Sequence, residues 1–134
     1  MKNTQPLLLV DTDFPAIRRR SIETLQVNLG YRCNLSCVHC HVNAGPQRTE
    51  EMSRELIDLV IDVVRARNIG CVDITGGAPE LHPHFRYLVG ELRAMQVAVI
   101  DRCNLTVLFE PGVRGHGSVF GRERCHHHRF IAVL

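Results

Sequence analysis

Three cysteines lie within eight residues of one another, at Cys33, Cys37 and Cys40. In a reducing compartment, such clustering indicates metal or iron–sulfur ligation rather than a disulfide framework. A [4Fe–4S] cluster needs four ligands, so three cysteines would leave one iron free for a ligand from outside the protein. A zinc site that uses the three cysteines with His39 or His41 agrees equally well with these residues alone.

Two further polar groups could do chemistry. Gly76 and Gly77 precede Glu80, and glycines allow a backbone to approach a ligand closely. The alternative for the two glycines is a tight turn between a strand and a helix. The second group comprises Asp101, Arg102 and Asn104. These residues could contact a ligand or a substrate, or they could have capping and salt-bridge roles.

The elements that position these residues follow from hydrophobic periodicity. Strands are predicted over 24–29, 71–75 and 97–100, and each is followed by one of the polar groups. Thr49 is the predicted N-cap of a first helix, and a second helix follows Pro83. The apolar face expected for the first helix comprises Met52, Leu56, Leu59, Val60, Val63 and Val64, and that of the second comprises Phe85, Leu88, Val89 and Leu92.

Strands that alternate with helices predict an α/β fold with a parallel sheet, whose carboxyl ends share one edge. We therefore expect the cysteine loop, the two glycines and Asp101–Asn104 to meet at that edge. The chain divides into a lead-in over 1–23, a core over 24–112 and a tail over 113–134 that is rich in Gly, Arg and His and expected to be poorly ordered.

Composition excludes several classes of protein. Apolar residues make up 45% of the chain and charged residues 22%, as in globular domains. The net charge is +2 and the core carries no basic patch, so we expect no nucleic-acid partner. Apolar runs reach only about four residues, far short of the ~20 of a membrane span, and we expect no signal peptide. A cytoplasmic protein without a membrane partner is expected.

The cysteine spacing, directly after a predicted strand, resembles the cluster motif of the radical S-adenosylmethionine (SAM) superfamily. Thr75–Glu80 resembles the Gly-Gly-Glu segment of that superfamily, although Ala78 and Pro79 are inserted before the glutamate. The resemblance implies a partial (βα) barrel of the TIM type, with about three parallel strands and two to three helices. It also implies a [4Fe–4S] cluster on the three cysteines and SAM bound through Gly76, Gly77 and Glu80. The implied reaction is reductive cleavage of SAM to a 5′-deoxyadenosyl radical, with an electron donor such as a flavodoxin or ferredoxin.

Four segments narrow the resemblance to the radical SAM/Cys-rich domain family, which includes arsenosugar-biosynthesis proteins: Leu25–Asn34, Cys40–Pro46, Thr75–Leu81 and Ile100–Thr106. That family implies transfer of a 5′-deoxyadenosyl group to a methylated arsenical. The likeness stops after Gly112, which suggests a truncated or frameshifted chain. We therefore expect an unpaired edge on the third strand, and no effect of deleting 113–134 on cluster or SAM binding. Two alternatives are an inactive fragment that only binds a cluster and a small zinc-binding module.

Overall fold

The structure is a computed structural model that describes residues 13, 18, 20–113 and 128–130, the last as a backbone strand. The rest of the predicted lead-in and tail lies outside the described residues. The domain boundaries drawn from the sequence therefore remain predictions.

One parallel sheet forms the centre of the fold. Its strands are β1 (Thr24–Asn28), β2 (Cys71–Thr75), β3 (Ala98–Asp101) and β4 (His128–Phe130), and they lie side by side in chain order. In the register of the first three strands, Val27 pairs with Ile74, and Ile74 pairs with Asp101. The carboxyl ends of β1, β2 and β3 therefore meet at one edge, as the alternation of elements predicts.

Two helices connect the first three strands. Helix α1 (Arg54–Arg67) joins β1 to β2, and helix α2 (Phe85–Ala94) joins β2 to β3. Short 3-10 turns cover Pro79–Leu81 and Thr106–Phe109. Three parallel strands with two crossover helices confirm the predicted α/β fold and are consistent with part of a (βα) barrel.

The hydrophobic core lies between the helices and one face of the sheet. The sheet contributes Val27, Val72, Ile74 and Val99 to this core, and α2 contributes the predicted stripe of Phe85, Leu88, Val89 and Leu92. Because side chains alternate along a strand, Gln26 and Asp73 project from the opposite face. There Gln26 Nε2 donates to Asp73 Oδ2 at 3.2 Å. The two faces of the sheet therefore differ sharply in polarity.

The start of helix α1 differs from the sequence prediction. Ser53 is the N-cap, and its side chain accepts a hydrogen bond from the backbone N–H of Leu56. The predicted cap, Thr49, is wrong because the residues after it are extended and pair with the start of the cysteine loop. Tyr31 N donates to Glu50 O at 2.9 Å, and Met52 N donates to Leu29 O at 2.8 Å. These bonds hold residues 50–52 outside the helix.

The buried face of α1 is also rotated from the expected one. Ile57, Ile61 and Val64 are buried, whereas three residues of the expected face are exposed: Leu56, Leu59 and Val63. Met52 and Val60 are half-buried against the core, so the expectation is correct for them and for Val64. The helix is apolar on two adjacent stripes, and periodicity alone does not choose between them.

Strand β4 occupies an edge that was expected to be open. It pairs in parallel with β3, with Val99 opposite His128 and Asp101 opposite Phe130. The prediction of an unpaired edge on the third strand is therefore wrong over these residues. Residues 114–127 and 131–134 lie outside the described residues, so the predicted irregularity of the tail stays a prediction. Within the described part of the chain, no helix is long and apolar enough to cross a membrane.

Candidate functional site

The cysteine loop follows β1 and is closed at its base by backbone hydrogen bonds. Cys33 N donates to Gly45 O at 3.1 Å, and Gly45 N donates back to Tyr31 O at 3.0 Å. These bonds join the start of the loop to its end. The chain between them, which carries all three clustered cysteines, therefore projects from the carboxyl edge of the sheet as one closed loop.

Backbone and side-chain N–H groups point at two of the loop sulfurs. Ala44 N lies 3.2 Å from Cys40 Sγ, and Leu35 N lies 3.4 Å from Cys33 Sγ. The amide nitrogen of Asn104, after β3, adds a contact of 3.5 Å to Cys33 Sγ. Cys33 is buried, Cys40 is half-buried and Cys37 is exposed. N–H groups around sulfur stabilise bound thiolates and tune iron–sulfur clusters.

The geometry of the sulfurs bears on the choice between zinc and a cluster. Thiolates that share one tetrahedral zinc ion lie about 3.8 Å apart, given Zn–S bonds of about 2.3 Å. In the described part of the chain, the cysteine loop forms no group of three such ligands within 4.8 Å of one another. In a [4Fe–4S] cluster each cysteine binds a different iron, so the sulfurs stand further apart. The three thiolates, two of which receive N–H groups, fit a cluster in the chemistry of their donors, and a zinc site completed by a histidine stays the alternative.

An open cleft lies against the exposed side of this loop. It has a volume of about 490 Å³, and its lining runs from Ser36 to Val38 and from Asn43 to Arg48. Arg48 braces the closing end of the loop, since it donates to Asn43 O at 2.6 Å and pairs with Glu50 at 2.8 Å. Hydrogen bonding from Arg48 lowers the pKa of Glu50 to about 2. The cleft gives a group bound by Cys37 direct access to solvent.

The two glycines after β2 bring their turn against the base of the cysteine loop. Gly77 N donates to Gly30 O at 2.9 Å, and Ala78 N donates to Arg32 O at 2.8 Å. Gly76 has a φ of +137°, and a Cβ on Gly77 would overlap the carbonyl of Arg32. The sequence predicts close approach of backbone to a ligand or a tight turn. The close approach seen here is between this turn and the loop backbone.

Glu80 lies directly after this turn and packs into a buried group with Asp101 and Cys103. One ligand atom from each residue lies within 4.8 Å of the other two, and all three residues are buried. Glu80 is 3% exposed and Asp101 is 2% exposed. None of the four carboxylate oxygens has a hydrogen-bond partner among the described residues. Buried carboxyl groups without donors are stabilised when they retain a proton or hold a cation.

Burial changes the ionisation of this group. Burial, with a further contribution from the neighbouring Glu80, raises the pKa of Asp101 to about 8. Burial also raises the pKa of the Cys103 thiol to about 12, again with a contribution from Glu80. At neutral pH the Cys103 side chain is therefore a neutral thiol, and Asp101 retains its proton.

Arg102 and Asn104 lie in different surroundings, although they flank the same cysteine. Arg102 forms two hydrogen bonds to Asp73, at 2.9 and 2.7 Å, on the polar face of the sheet. Asn104 contacts Cys33 and Asn34 and accepts from Val107 N at 3.0 Å. Arg102 thus forms a salt bridge, and Asn104 accepts a hydrogen bond in the first turn of the 3-10 segment Thr106–Phe109. These are the salt-bridge and capping roles that the sequence offered as alternatives. Contacts of either residue with a ligand or substrate stay predictions.

The buried group contains one residue, Cys103, that the sequence placed at this edge of the sheet but not among the predicted site residues. Cys103 follows Asp101 by two positions at a strand end, and that position was the only available signal for it. Cys103 packs in the same buried cluster as Cys33, with Cys40 against it. The acidic group therefore adjoins the inner side of the cysteine loop.

A family comparison agrees with this geometry. The profile of the Radical SAM superfamily matches residues 27–114, which include the cysteine loop, the glycine turn and the buried acidic group. The matched region begins in β1 and continues past β3, so it covers most of the described sheet and both helices.

Curated relatives resemble the same region. A probable GTP 3′,8-cyclase of Sulfurisphaera tokodaii is 34% identical over 66% of this chain and 28% of its own length. A mycofactocin maturase of Mycobacterium ulcerans is 37% identical over 53% of this chain and 19% of its own length. A putative peptide biosynthesis protein of Bacillus subtilis is 38% identical over 41% of this chain. The chain thus spans between about a sixth and three-tenths of the length of these relatives.

Proposed function

The chain belongs to the radical SAM superfamily, and on this premise we propose that it binds a [4Fe–4S] cluster and S-adenosylmethionine. When both are bound, the reduced cluster supplies the electron that cleaves SAM to a 5′-deoxyadenosyl radical. The protein contributes binding, orientation and exclusion of water. The observation that carries the proposal is the closed cysteine loop, whose sulfurs receive N–H groups at the carboxyl edge of a parallel sheet.

Cys33, Cys37 and Cys40 are the proposed ligands of three irons. Their N–H donors stabilise the thiolate form that binds iron, and Asn104 extends this support from the end of β3. The open cleft beside Cys37 leaves room for a ligand on the remaining iron. That ligand is proposed to be the amino acid portion of SAM.

Gly76, Gly77 and Glu80 are the proposed contributors to the amino end of SAM. The glycine turn lies against the cysteine loop through Gly77 N and Gly30 O, so its backbone is close to the cluster ligands. The Glu80 side chain is buried directly after this turn, and its carboxylate is the proposed partner of that amino group. A positively charged amino group is stabilised by a carboxylate, because screening is weak in a buried environment.

Substitution of single cysteines tests the cluster assignment. After anaerobic reconstitution, Cys33→Ala, Cys37→Ala and Cys40→Ala should each lose the broad visible absorbance and most of the bound iron and sulfide. The matched control is Cys71→Ala, since Cys71 lies in β2 and outside the loop. Retention of a full cluster in Cys37→Ala would refute the ligand set.

The same measurements distinguish the alternatives. Zinc without iron or sulfide in the reconstituted protein would identify a zinc-binding module. An iron–sulfur cluster without SAM cleavage would identify a fragment that only binds a cluster. Formation of 5′-deoxyadenosine from SAM in the presence of a strong reductant would support the proposed activity.

A finer proposal concerns the substrate. The segments around the cysteine loop and Ile100–Thr106 resemble arsenosugar-biosynthesis proteins, and we propose a methylated arsenical as acceptor of the 5′-deoxyadenosyl group. Asp101, Arg102 and Asn104 are the proposed residues on the substrate side, with a flavodoxin or ferredoxin as electron donor. All five cysteines in the described part of the chain are free thiols, which supports a reducing, cytoplasmic location. Mass spectrometry for an arsenic-bound adenosyl product tests this proposal.

A further inference from the structure

A closed ring of side-chain hydrogen bonds joins the cysteine loop to the segment after β3. Asn34 Nδ2 donates to Thr106 Oγ1 at 2.9 Å, Thr106 Oγ1 donates to Asn104 Oδ1 at 3.0 Å, and Asn104 Nδ2 donates to Asn34 Oδ1 at 3.0 Å. Asn34 directly follows Cys33, whereas Asn104 lies 70 residues after Asn34 in the chain. The ring therefore holds the first cysteine of the loop against the end of the sheet.

All four hydrogen-bonding positions of the Asn104 amide are occupied by the protein. Its nitrogen carries two hydrogens, one for Asn34 Oδ1 and one for Cys33 Sγ, which lies 3.5 Å away. Its oxygen accepts from Thr106 Oγ1 and from the backbone N–H of Val107, each at 3.0 Å. A side-chain amide offers two donors and two acceptor positions. Asn104 therefore acts on a bound group through the residues that it holds.

The backbone determines which end of this amide faces the cysteine. The N–H of Val107 can only donate, so the oxygen of Asn104 lies toward Val107 and the nitrogen lies toward Cys33. Leu105, between Asn104 and Thr106, has a φ of +55°, which residues other than glycine rarely adopt. Such strain persists where the surrounding structure fixes it, and it is common at functional sites. The hydrogen-bonded ring supplies that constraint here.

We propose that Asn104 is a positioning residue of the cluster site, because its ring with Asn34 and Thr106 aims an amide N–H at the Cys33 sulfur and thereby raises the reduction potential of a bound cluster. This inference rests on the proposed function. Reduction adds negative charge to a cluster, and a fixed N–H group beside a ligating sulfur stabilises that charge. The ring therefore controls how readily the cluster takes up the electron that it later delivers.

Redox titration of the cluster-loaded chain tests the N–H contact. Asn104→Ala removes the donor, so the ratio of reduced to oxidised cluster at a fixed potential should fall about tenfold, which is about 59 mV for one electron. The matched control is Asn68→Ala, since Asn68 is the C-cap of α1 with a φ of +50°. This control should lose stability but keep the wild-type potential. An unchanged potential in Asn104→Ala, or an equal fall in Asn68→Ala, would overturn the proposal.

Thr106 provides a milder pair of variants that leave the amide donor in place. Thr106→Val removes the hydroxyl that closes the ring, so the amide of Asn104 is held less firmly and the same ratio should fall by a smaller factor, about threefold. Thr106→Ser keeps a hydroxyl and should restore the wild-type potential. This pair decides the question if Asn104→Ala does not load a cluster. Equal potentials in Thr106→Val and Thr106→Ser would contradict the proposed role.

A measurement on the apo protein tests the ring without iron. Nuclear magnetic resonance should show that the side-chain amide protons of Asn34 and Asn104 exchange with solvent more slowly than those of Asn68, which is exposed. Thr106→Val should accelerate the exchange at both ring residues, and Thr106→Ser should not. Exchange at Asn34 and Asn104 as fast as at Asn68 would show that the ring does not persist in solution, and the inference would be wrong.

The measurements distinguish failure of the inference from failure of the proposed function. If the ring is protected in the apo protein but the wild-type chain loads no cluster, the proposed function fails and the redox role of Asn104 fails with it. If the cluster loads and cleaves SAM but its potential does not depend on Asn104, the proposed function stands and the inference is wrong.

Discussion

At the scale of single residues, Asp101 links the stability of the fold to pH. Its pKa is about 8 in the folded chain and about 3.9 when unfolded, so the folded state binds more protons between these values. The free energy of unfolding should therefore fall as pH rises from about 4 to about 8. From about pH 5.5 to about pH 8 we expect a loss of more than about 1 kcal/mol for this group.

Chemical unfolding of the wild type and Asp101→Asn at both pH values measures this effect. Burial lowers the pKa of His82, which acts with the opposite sign because a neutral histidine is favoured in the fold as pH rises. His82 is present in both proteins, so the difference between them isolates Asp101. An equal pH dependence in the two proteins would contradict the prediction.

Residue chemistry could be predicted where it depends on local spacing. The cysteine motif is local in sequence, and the structure holds it in one closed loop. The pairing of Glu80 with Asp101 is not local, because it depends on the register of Ile74 against Asp101 and on the 3-10 turn that directs Glu80 inward. Sequence periodicity predicts neither this register nor the direction of Glu80. The grouping of Glu80, Asp101 and Cys103 is therefore seen only in the folded chain.

At the scale of elements, the start of α1 provides a direct test of its capping residue. Ser53 accepts from Leu56 N at 3.4 Å, so Ser53→Ala should destabilise the protein by about 0.5–2 kcal/mol. Thr49 precedes the helix, and Thr49→Ala should change stability by less than about 0.5 kcal/mol. Thermal unfolding followed by circular dichroism compares the two variants. A larger loss of stability in Thr49→Ala than in Ser53→Ala would support the N-cap that the sequence predicts.

The glycine turn gives a second test at this scale. A Cβ on Gly77 would overlap the Arg32 carbonyl, so Gly77→Ala must displace the turn from the cysteine loop. We expect a loss of about 1–3 kcal/mol in stability together with reduced cluster content. Gly90 in α2 has no atom within 4 Å of an added Cβ, and Gly90→Ala should stabilise by about 0.5–1 kcal/mol with full cluster content. Iron analysis and chemical unfolding provide the two measurements.

The contact between Gly77 and the cysteine loop limits what a substitution of this glycine can test. Substitution there cannot separate SAM binding from cluster binding, because the nearest obstacle to a side chain is the backbone of the cysteine loop itself. Full cluster content in Gly77→Ala would show that the loop tolerates displacement of the turn.

Elements with one clear apolar pattern were predicted well. The buried stripe of α2 matches the predicted residues, from Phe85 to Leu92, and β2 matches its predicted bounds. Helix α1 carries two apolar stripes, and the sheet buries the one containing Ile57 and Ile61. The choice depends on how residues 50–52 pair with the cysteine loop. That pairing is a tertiary contact, which the periodicity of the helix does not contain.

At the scale of the whole molecule, the sheet has one helix-covered face and one polar face. On the polar face, Asp73 accepts from Gln26 and from Arg102, and so connects β1, β2 and the residue after β3. In the described part of the chain, both helices pack on the other side. Glu80 and Asp101 therefore lie on the helix side of the sheet, whereas Arg102 lies on the polar side. This separation gives neighbouring residues in the chain different environments.

Strand β4 determines what removal of the tail should do. Truncation after Val113 removes the partner of Val99 and Asp101 and exposes that edge of β3, where parallel backbone groups are available to another chain. We expect more self-association with rising concentration and faster amide exchange in β3. Cluster content should be unchanged, because the described hydrogen bonds of the cysteine loop involve no residue beyond 113. Analytical ultracentrifugation, hydrogen exchange and iron analysis of the full and truncated chains measure these effects. Unchanged exchange in β3 would show that β4 contributes nothing to the sheet, and loss of the cluster would show that the tail supports the loop.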